Sequence, residues 1–198
     1  MPKIVNKPEK KERLAQSAIP VFAKHGFRET KMSDVAVSAD VGKGTLYEYY
    51  VSKDELFLNI FKIWFSYFSE QMQEIIGKER NPHKQLLSFF EQFFVTIEQY
   101  SELYYIYFDF WSELTRNPAL NKQELVAVYQ SLREMFAGVL EDGIDCKIFR
   151  PVETSVMSAG LLAISDGLLL QWLIDRTAFS LKEVGMTTIT SFLDSIVA

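Results

Sequence analysis

Apolar residues recur at helical spacing along most of the chain, and no stretch shows sustained alternation bounded by hairpin turns, so the expected class is all-α. Leu14, Ala18, Val21 and Phe22 share one face of a helix predicted over 9–25, with Gly26 as its stop. Pro20 falls inside it, removes the amide that would bond to the Gln16 carbonyl, and predicts a kink. Met32, Val35, Ala36 and Ala39 follow at i, i+3, i+4, i+7, so a two-turn helix over 32–39 buries one narrow stripe of mostly small residues. Thr30 is placed to cap its start by accepting from a free backbone N–H, and Asp34 adds negative charge to the first turn. Ala39-Asp40-Val41-Gly42 then breaks the period. Asp40 tolerates a left-handed turn, Val41 is the apolar residue able to plug the corner, and Gly42 permits a fresh helix start. In the next helix, predicted over 43–50, Leu46 and Tyr50 form the inward i, i+4 pair, which turns Gly44, Thr45, Tyr47 and Glu48 outward or sideways.

Ser52 or Lys53 opens a long fourth helix to about Gly77. Asn81-Pro82 is a cap and first-turn pair for a fifth, reaching about Tyr100. Ser101 can cap a sixth, which ends before Pro118 because the residue preceding a proline avoids helical angles. A seventh is predicted over 121–142 and an eighth over 153–175, with Cys146 in the loop between them. Ser180 and Glu183 make a capping box for a ninth, over 181–197. The layout is an N-terminal unit over 1–53 and a larger one over 54–198, preceded by a flexible arm over 1–8.

Charge sharpens this division. The whole chain carries −5, but residues 1–53 hold 10 Lys/Arg against 6 Asp/Glu, net +4, which leaves 11 against 20, net −9, for the remainder. A phosphate-binding surface therefore belongs to the N-terminus, and the acidic remainder is expected to stay off DNA. The single Cys146 excludes an internal disulfide framework and a cysteine-only zinc site, so a reduced cytoplasm is the default compartment. The basic start MPKIVNKPEKKER lacks the apolar segment of a signal peptide. The longest apolar span, 156–174, is interrupted by Ser158, Ser165, Asp166 and Gln171, which argues against a membrane helix.

The run TKMSDVAVSADVGKGTLYEYYVSKDELF, over 30–57, resembles the tetracycline-repressor (TetR) family of bacterial regulators, whose usual pattern is close to T-T-V-R-D-I-A-x-x-A-G-V-S-K-G-T-L-Y-x-Y-F-x-S-K-E-x-L. The likeness extends over about 9–57. It implies an all-helical homodimer whose first three helices bind a double-stranded DNA operator as a helix-turn-helix, and whose C-terminal domain binds a small effector that lowers DNA affinity. Three positions depart from the pattern: Lys31 replaces the second Thr/Ser, Asp40 the turn glycine, and Gly42 a serine that often touches phosphate in relatives.

A recognition helix enters the major groove only if its leading residues allow close approach, and Gly44 does. Thr45 offers a hydroxyl to a base and a methyl to thymine, and Lys43 and Lys53 are charges for phosphate. Tyr47 and Tyr49 match family positions that pack on sugar-phosphate and base edges. Thr30, Lys31 and Ser33 can touch the other strand. Glu48 is repelled by phosphate unless it accepts from a cytosine amino group.

Between Phe57 and Trp111 stand 17 of the chain's 28 aromatics. Phe61, Trp64, Phe65, Phe68, Phe90, Phe94, Tyr104, Phe108 and Trp111 are candidates to line an apolar effector space, although aromatics at this spacing also make ordinary core. Asp109 within this run, with Glu113 one turn on, reads either as an effector anchor or as the partner of Arg116 or Lys62. Ala159, Gly160, Ala163 and Gly167 allow a close helix approach, and Leu161, Leu168, Leu169, Trp172, Phe192 and Ile196 supply the apolar area. The last two helices form the dimer surface in the family, and a two-fold dimer predicts an approximately palindromic operator read at about 34–36 Å spacing or slightly more.

No cofactor is implied. Two histidines, one cysteine and no clustered metal spacing assemble neither a nucleophile-base pair nor a zinc site. Gly42-Lys43-Gly44-Thr45 lacks the earlier glycine and preceding strand of a phosphate loop. The alternative that stays open is a helical sensor or carrier of small molecules without specific DNA binding.

Overall fold

The computed structural model describes residues 7–116 and 123–198. Most of the expected N-terminal arm, the predicted start of the seventh helix at Asn121, and Pro118 lie outside the described residues. Among those described there are nine helices: α1 (Lys7–Glu29), α2 (Met32–Ser38), α3 (Lys43–Tyr47), α4 (Lys53–Lys78), α5 (Pro82–Gln99), α6 (Ser101–Arg116), α7 (Gln123–Asp145), α8 (Thr154–Ile174) and α9 (Leu181–Asp194). The extended pairing among them is one isolated antiparallel bridge, Phe149 with Val197. The fold is all-α. It divides into two compact units, one of Met1–Phe68 with Glu102–Lys122, the other of Ser69–Ser101 with Gln123–Ala198.

In the first unit α1 presents Leu14, Ala15, Ala18 and Phe22 inward. Its non-helical backbone falls at Gly26, at φ 71°, and not at Pro20. The left-handed angle suits a residue without a Cβ. Gln16, Pro20 and Lys24 share the exposed face, so the carbonyl that Pro20 leaves without an amide points towards water, where it costs little. The turn that Gly26 creates brings Phe27 back onto Phe22 and Phe57, with ring centroids 6.0 and 5.2 Å away. Val35 and Ala36 of α2, Leu46 of α3, and Tyr50, Leu56 and Phe57 complete this core.

α4 starts on a reciprocal cap. Ser52 Oγ accepts from the Glu55 amide at 3.0 Å, and Glu55 Oε2 accepts from the Val51 amide at 2.9 Å.

In the second unit α5 packs on α7 and α9, and α8 on α7 and α9. Asn81 caps α5 through the Lys84 amide at 3.1 Å, and Ser180 caps α9 through the Glu183 amide at 3.2 Å, both as the capping pattern predicts. Phe89 and Phe90 meet Phe136 of α7 in a buried aromatic cluster, 4.9 and 5.2 Å from its ring, and Phe94 joins it through Phe90 at 6.3 Å. α9 stops at Asp194, short of the predicted 197, because the last residues turn to pair with the segment after α7. The Arg150 amide donates to the Ile196 carbonyl at 2.8 Å, and the Ala198 amide to the Ile148 carbonyl at 3.0 Å. By length and composition α8 could cross a membrane, but Leu161, Leu162, Leu169, Trp172 and Leu173 are buried where it packs on its neighbours.

Candidate nucleic-acid interface

α2 and α3 are joined by a turn whose sharpness comes from Asp40, at φ 52°. The Asp40 amide donates to the Val37 carbonyl at 3.1 Å and the Val41 amide to that of Ala36 at 3.0 Å. Aspartate is one of the few side chains that tolerates this backbone region, so the departure from glycine keeps the turn. Val41 is half-buried in the corner, and Ser38 Oγ donates to the Ser17 carbonyl at 2.8 Å, fastening the end of α2 to α1. α3 is a helix of five residues, shorter than the predicted 43–50, but its hydrogen bonding continues as turns: the amides of Tyr49 and Tyr50 both donate to the Leu46 carbonyl.

Leu46 and Tyr50 are fully buried, which fixes the rotation of α3 about its axis. Lys43, Gly44, Tyr47 and Glu48 stand exposed, and Thr45 and Tyr49 are half-buried at the edges. A Cβ on Gly44 would meet nothing within 4 Å, so the backbone there is open to close approach from outside. Lys43 Nζ lies 5.8 Å from the centroid of the Tyr47 ring, which is 42% exposed. Lys31 and Ser33 are exposed at the start of α2.

Thr30 differs from its expected role. It is buried, and its hydroxyl donates to the Gly26 carbonyl at 2.6 Å; Lys31 occupies the N-cap position of α2, which has no side-chain cap. The Gly26 carbonyl accepts both the Thr30 amide, at 3.3 Å, and the Thr30 hydroxyl, and Thr30 becomes a lock on the end of α1. Lys53 donates to the Arg28 carbonyl at 2.8 Å and lies 4.7 Å from the Phe27 ring centroid, so its charge also closes that helix end. That bond uses one of the three N–H donors of its ammonium.

The α3–α4 corner is held from behind. Tyr50 Oη lies 2.8 Å from the Lys11 carbonyl and 2.6 Å from Asn59 Oδ1, and Lys11 Nζ pairs with Glu55 at 3.1 Å. Burial, with the nearby charges of Glu55 and Glu12, pushes the Tyr50 phenol well above its ordinary value, so it stays a neutral donor. This surface is a short helix with an open glycine and a tyrosine-lysine face, carried rigidly on two others: the arrangement that lets a helix enter a groove.

A family model described as bacterial regulatory proteins of the tetR family matches residues 14–60, and one described as the C-terminal part of BetI-type transcriptional repressors matches residues 82–198. The chain belongs to the TetR family of transcriptional regulators. The transcriptional repressor KstR2 of Mycobacterium tuberculosis is 28% identical over 144 residues, 70% of this chain and 68% of that one. FadR from Bacillus subtilis, solved in complex with stearoyl-CoA, superposes with a TM-score of 0.77 at 19% identity, covering 92% of this chain and 96% of that one. A transcriptional regulator from Saccharomonospora viridis, solved with choline, gives 0.84 at 18% identity over 96% and 99% of the two chains. At these identities the two structures establish a shared fold.

In this TetR-family chain the aromatic residues read as effector-binding fall in both compact units. Phe90 and Phe94 are interior to the second unit, and Phe61, Tyr104, Phe108 and Trp111 belong to the first. Trp64, Phe65, Phe68, Asp109 and Glu113 lie on described helices, but their side chains lie outside what the structure describes. Of the residues read as dimer contacts, Leu161, Leu169, Trp172 and Ile196 are buried in their own subunit, and Leu168 and Phe192 are half-buried. The exposed side of α8 is instead a stripe of Val156, Ala159, Ala163, Leu170 and Ile174. Its spacing of three and four residues was present in the sequence, but α8 is apolar all round, so periodicity could not say which side faces out. At the stripe's edge Asp166 accepts from Tyr129 Oη at 2.9 Å, and burial raises its carboxyl above the usual range despite that bond.

Proposed function

We propose that the chain is a ligand-responsive repressor that binds a palindromic operator as a homodimer and leaves it on binding a small, largely apolar or aromatic effector. Residues 1–53 read DNA, and residues 54–198 bind the effector and form the dimer. The protein acts in the cytoplasm, where the DNA is.

One observation carries this reading: burial of Leu46 and Tyr50 turns Lys43, Gly44, Tyr47 and Glu48 outward together, on a unit whose sequence is net positive. Lys31, Ser33, Thr45, Tyr49 and Lys53 flank that face. Thr30 belongs to its support, since its hydroxyl is spent on Gly26. The effector reading draws on the aromatic density of the chain and on relatives solved with stearoyl-CoA and with choline. An effector preferring a subunit arrangement with wrongly spaced recognition helices releases DNA by its difference in affinity for the two arrangements.

The test is selection of a binding site from a random-sequence duplex library, followed by titration of the selected duplex at two salt concentrations. Saturable, salt-sensitive binding to a two-fold-symmetric site is expected, with release by a long-chain acyl-CoA or another apolar ligand. Glu48→Ala is expected to relax preference at one position of each half-site by roughly tenfold, since one base contact is worth about 1–3 kcal/mol. Absence of any selected site, with ligand binding intact, favours the carrier.

A further inference from the structure

α1 opens with charges that its own stability disfavours. Lys7, Lys10, Lys11 and Arg13 stand among its first seven residues with only Glu9 and Glu12 against them, at the helix end where the dipole repels cations. Lys11 is accounted for inside the protein, by Glu55 at 3.1 Å and the Tyr50 ring at 4.9 Å. Lys10 is placed differently. Among the described residues it makes no ion pair, and its ammonium sits 5.5 Å from the centroid of the Tyr49 ring. Lys7, one turn earlier, is exposed.

The position of these lysines is set by packing. The Tyr50 hydroxyl beside the Lys11 carbonyl, the Lys11–Glu55 pair and the Lys10–Tyr49 contact hold this end of α1 against the corner that follows α3. Tyr49 is two residues beyond Tyr47, so the ring supporting Lys10 adjoins the outward face of α3. A ring under an ammonium restrains a long side chain before it binds anything, and it leaves N–H donors for an oxygen acceptor.

We propose that Lys10, with Lys7 beside it, binds DNA phosphate at the outer edge of the recognition surface, extending each subunit's footprint beyond the contacts of α2, α3 and the start of α4. Phosphates there, one to each lysine, neutralise both side chains and the positive helix end, which the free protein leaves uncompensated. The proposal rests on reading α3 as the recognition helix.

The experiment measures affinity against salt concentration for the wild type, Lys10→Ala, Lys7→Ala/Lys10→Ala and Lys10→Arg, on the library-selected duplex and on a duplex of random sequence. Each lost phosphate contact makes the slope of log affinity on log salt shallower by about 0.9. For a dimer bound through both subunits Lys10→Ala is expected to lose about two such steps, one per subunit, the double variant about four, and Lys10→Arg none. The weakening is to be equal on both duplexes, with a thermal midpoint close to that of the wild type, since the lost ring contact and the removed unfavourable charge at the helix end act in opposite directions. A Lys10→Ala slope equal to that of the wild type overturns the proposal, as does a loss confined to the selected sequence, which marks base reading. Wild-type protein with no salt-sensitive binding to either duplex overturns the DNA-binding reading itself, a result distinct from these.

Discussion

Glu55 shows how much one carboxylate is asked to do behind the candidate DNA surface. It accepts the Val51 amide, pairs with Lys11 and sits near the buried Tyr50 phenol. Burial pushes its carboxyl up, but the Val51 and Lys11 hydrogen bonds and the Lys11 charge outweigh this and hold it below the ordinary carboxylate range. The folded state therefore gives up this proton more readily than the unfolded chain. Between the two pKa values the unfolded state binds more protons, so the contribution is complete at neutral pH and is lost as pH falls through the folded value. The difference in unfolding free energy between the wild type and Glu55→Gln is expected to stay constant near pH 7 and to narrow below roughly pH 4.3, the ordinary glutamate value. Urea midpoints at several pH values measure it, and a gap that does not change with acid contradicts the assignment. Such tertiary commitments are what a linear reading cannot see. That Thr30 is polar and stands before a helix was legible; that the Gly26 carbonyl would claim its hydroxyl was not, because the left-handed turn at Gly26 that brings the two together arises only on folding.

Helices were legible where the chain carries its own punctuation. Asn81-Pro82 and Ser180 with Glu183 mark starts by local chemistry, and the starts fall where that chemistry puts them. Ends determined by distant partners were not legible: α9 gives up its last turn to the bridge between Phe149 and Val197, and nothing within 181–198 announces that pairing. The separation of α5 from α9 is likewise a tertiary quantity, and Gly185 measures it. A Cβ there would lie 2.5 Å from the Phe94 ring, far inside contact, and Phe94 is fully buried with no room to withdraw. A Cβ on Gly138, in α7, meets nothing within 4 Å. Gly185→Ala is therefore expected to destabilise by about 1–3 kcal/mol through overpacking. Gly138→Ala is expected to stabilise by about 0.5–1 kcal/mol through backbone entropy alone. Chemical denaturation of both variants decides whether the α5–α9 approach is as close as this geometry requires; a neutral Gly185→Ala means that it is not.

At the scale of the whole molecule, the proposed recognition of an operator by a dimer depends on which face of α8 is free. Leu169 and Leu170 are neighbours in sequence with opposite surroundings, 2% and 44% exposed. If two copies meet along Val156, Ala159, Ala163, Leu170 and Ile174, a carboxylate at 170 is buried without a partner in the dimer but remains hydrated in the separate subunit. Leu170→Glu is then expected to sediment as a folded monomer with a thermal midpoint close to that of other monomeric variants. Leu169→Glu, which buries the same charge inside the subunit, is expected to unfold. Joining two half-site contacts into one binding event raises affinity by roughly 10²–10⁴, because the second contact becomes intramolecular. The monomeric variant is therefore expected to lose about that factor on the full operator while keeping wild-type affinity for a single half-site. A Leu170→Glu protein that stays dimeric moves the two-fold axis off this stripe. A dimer lost without loss of operator affinity would instead mean that each subunit reads DNA alone, and the palindrome would have no physical reason to exist.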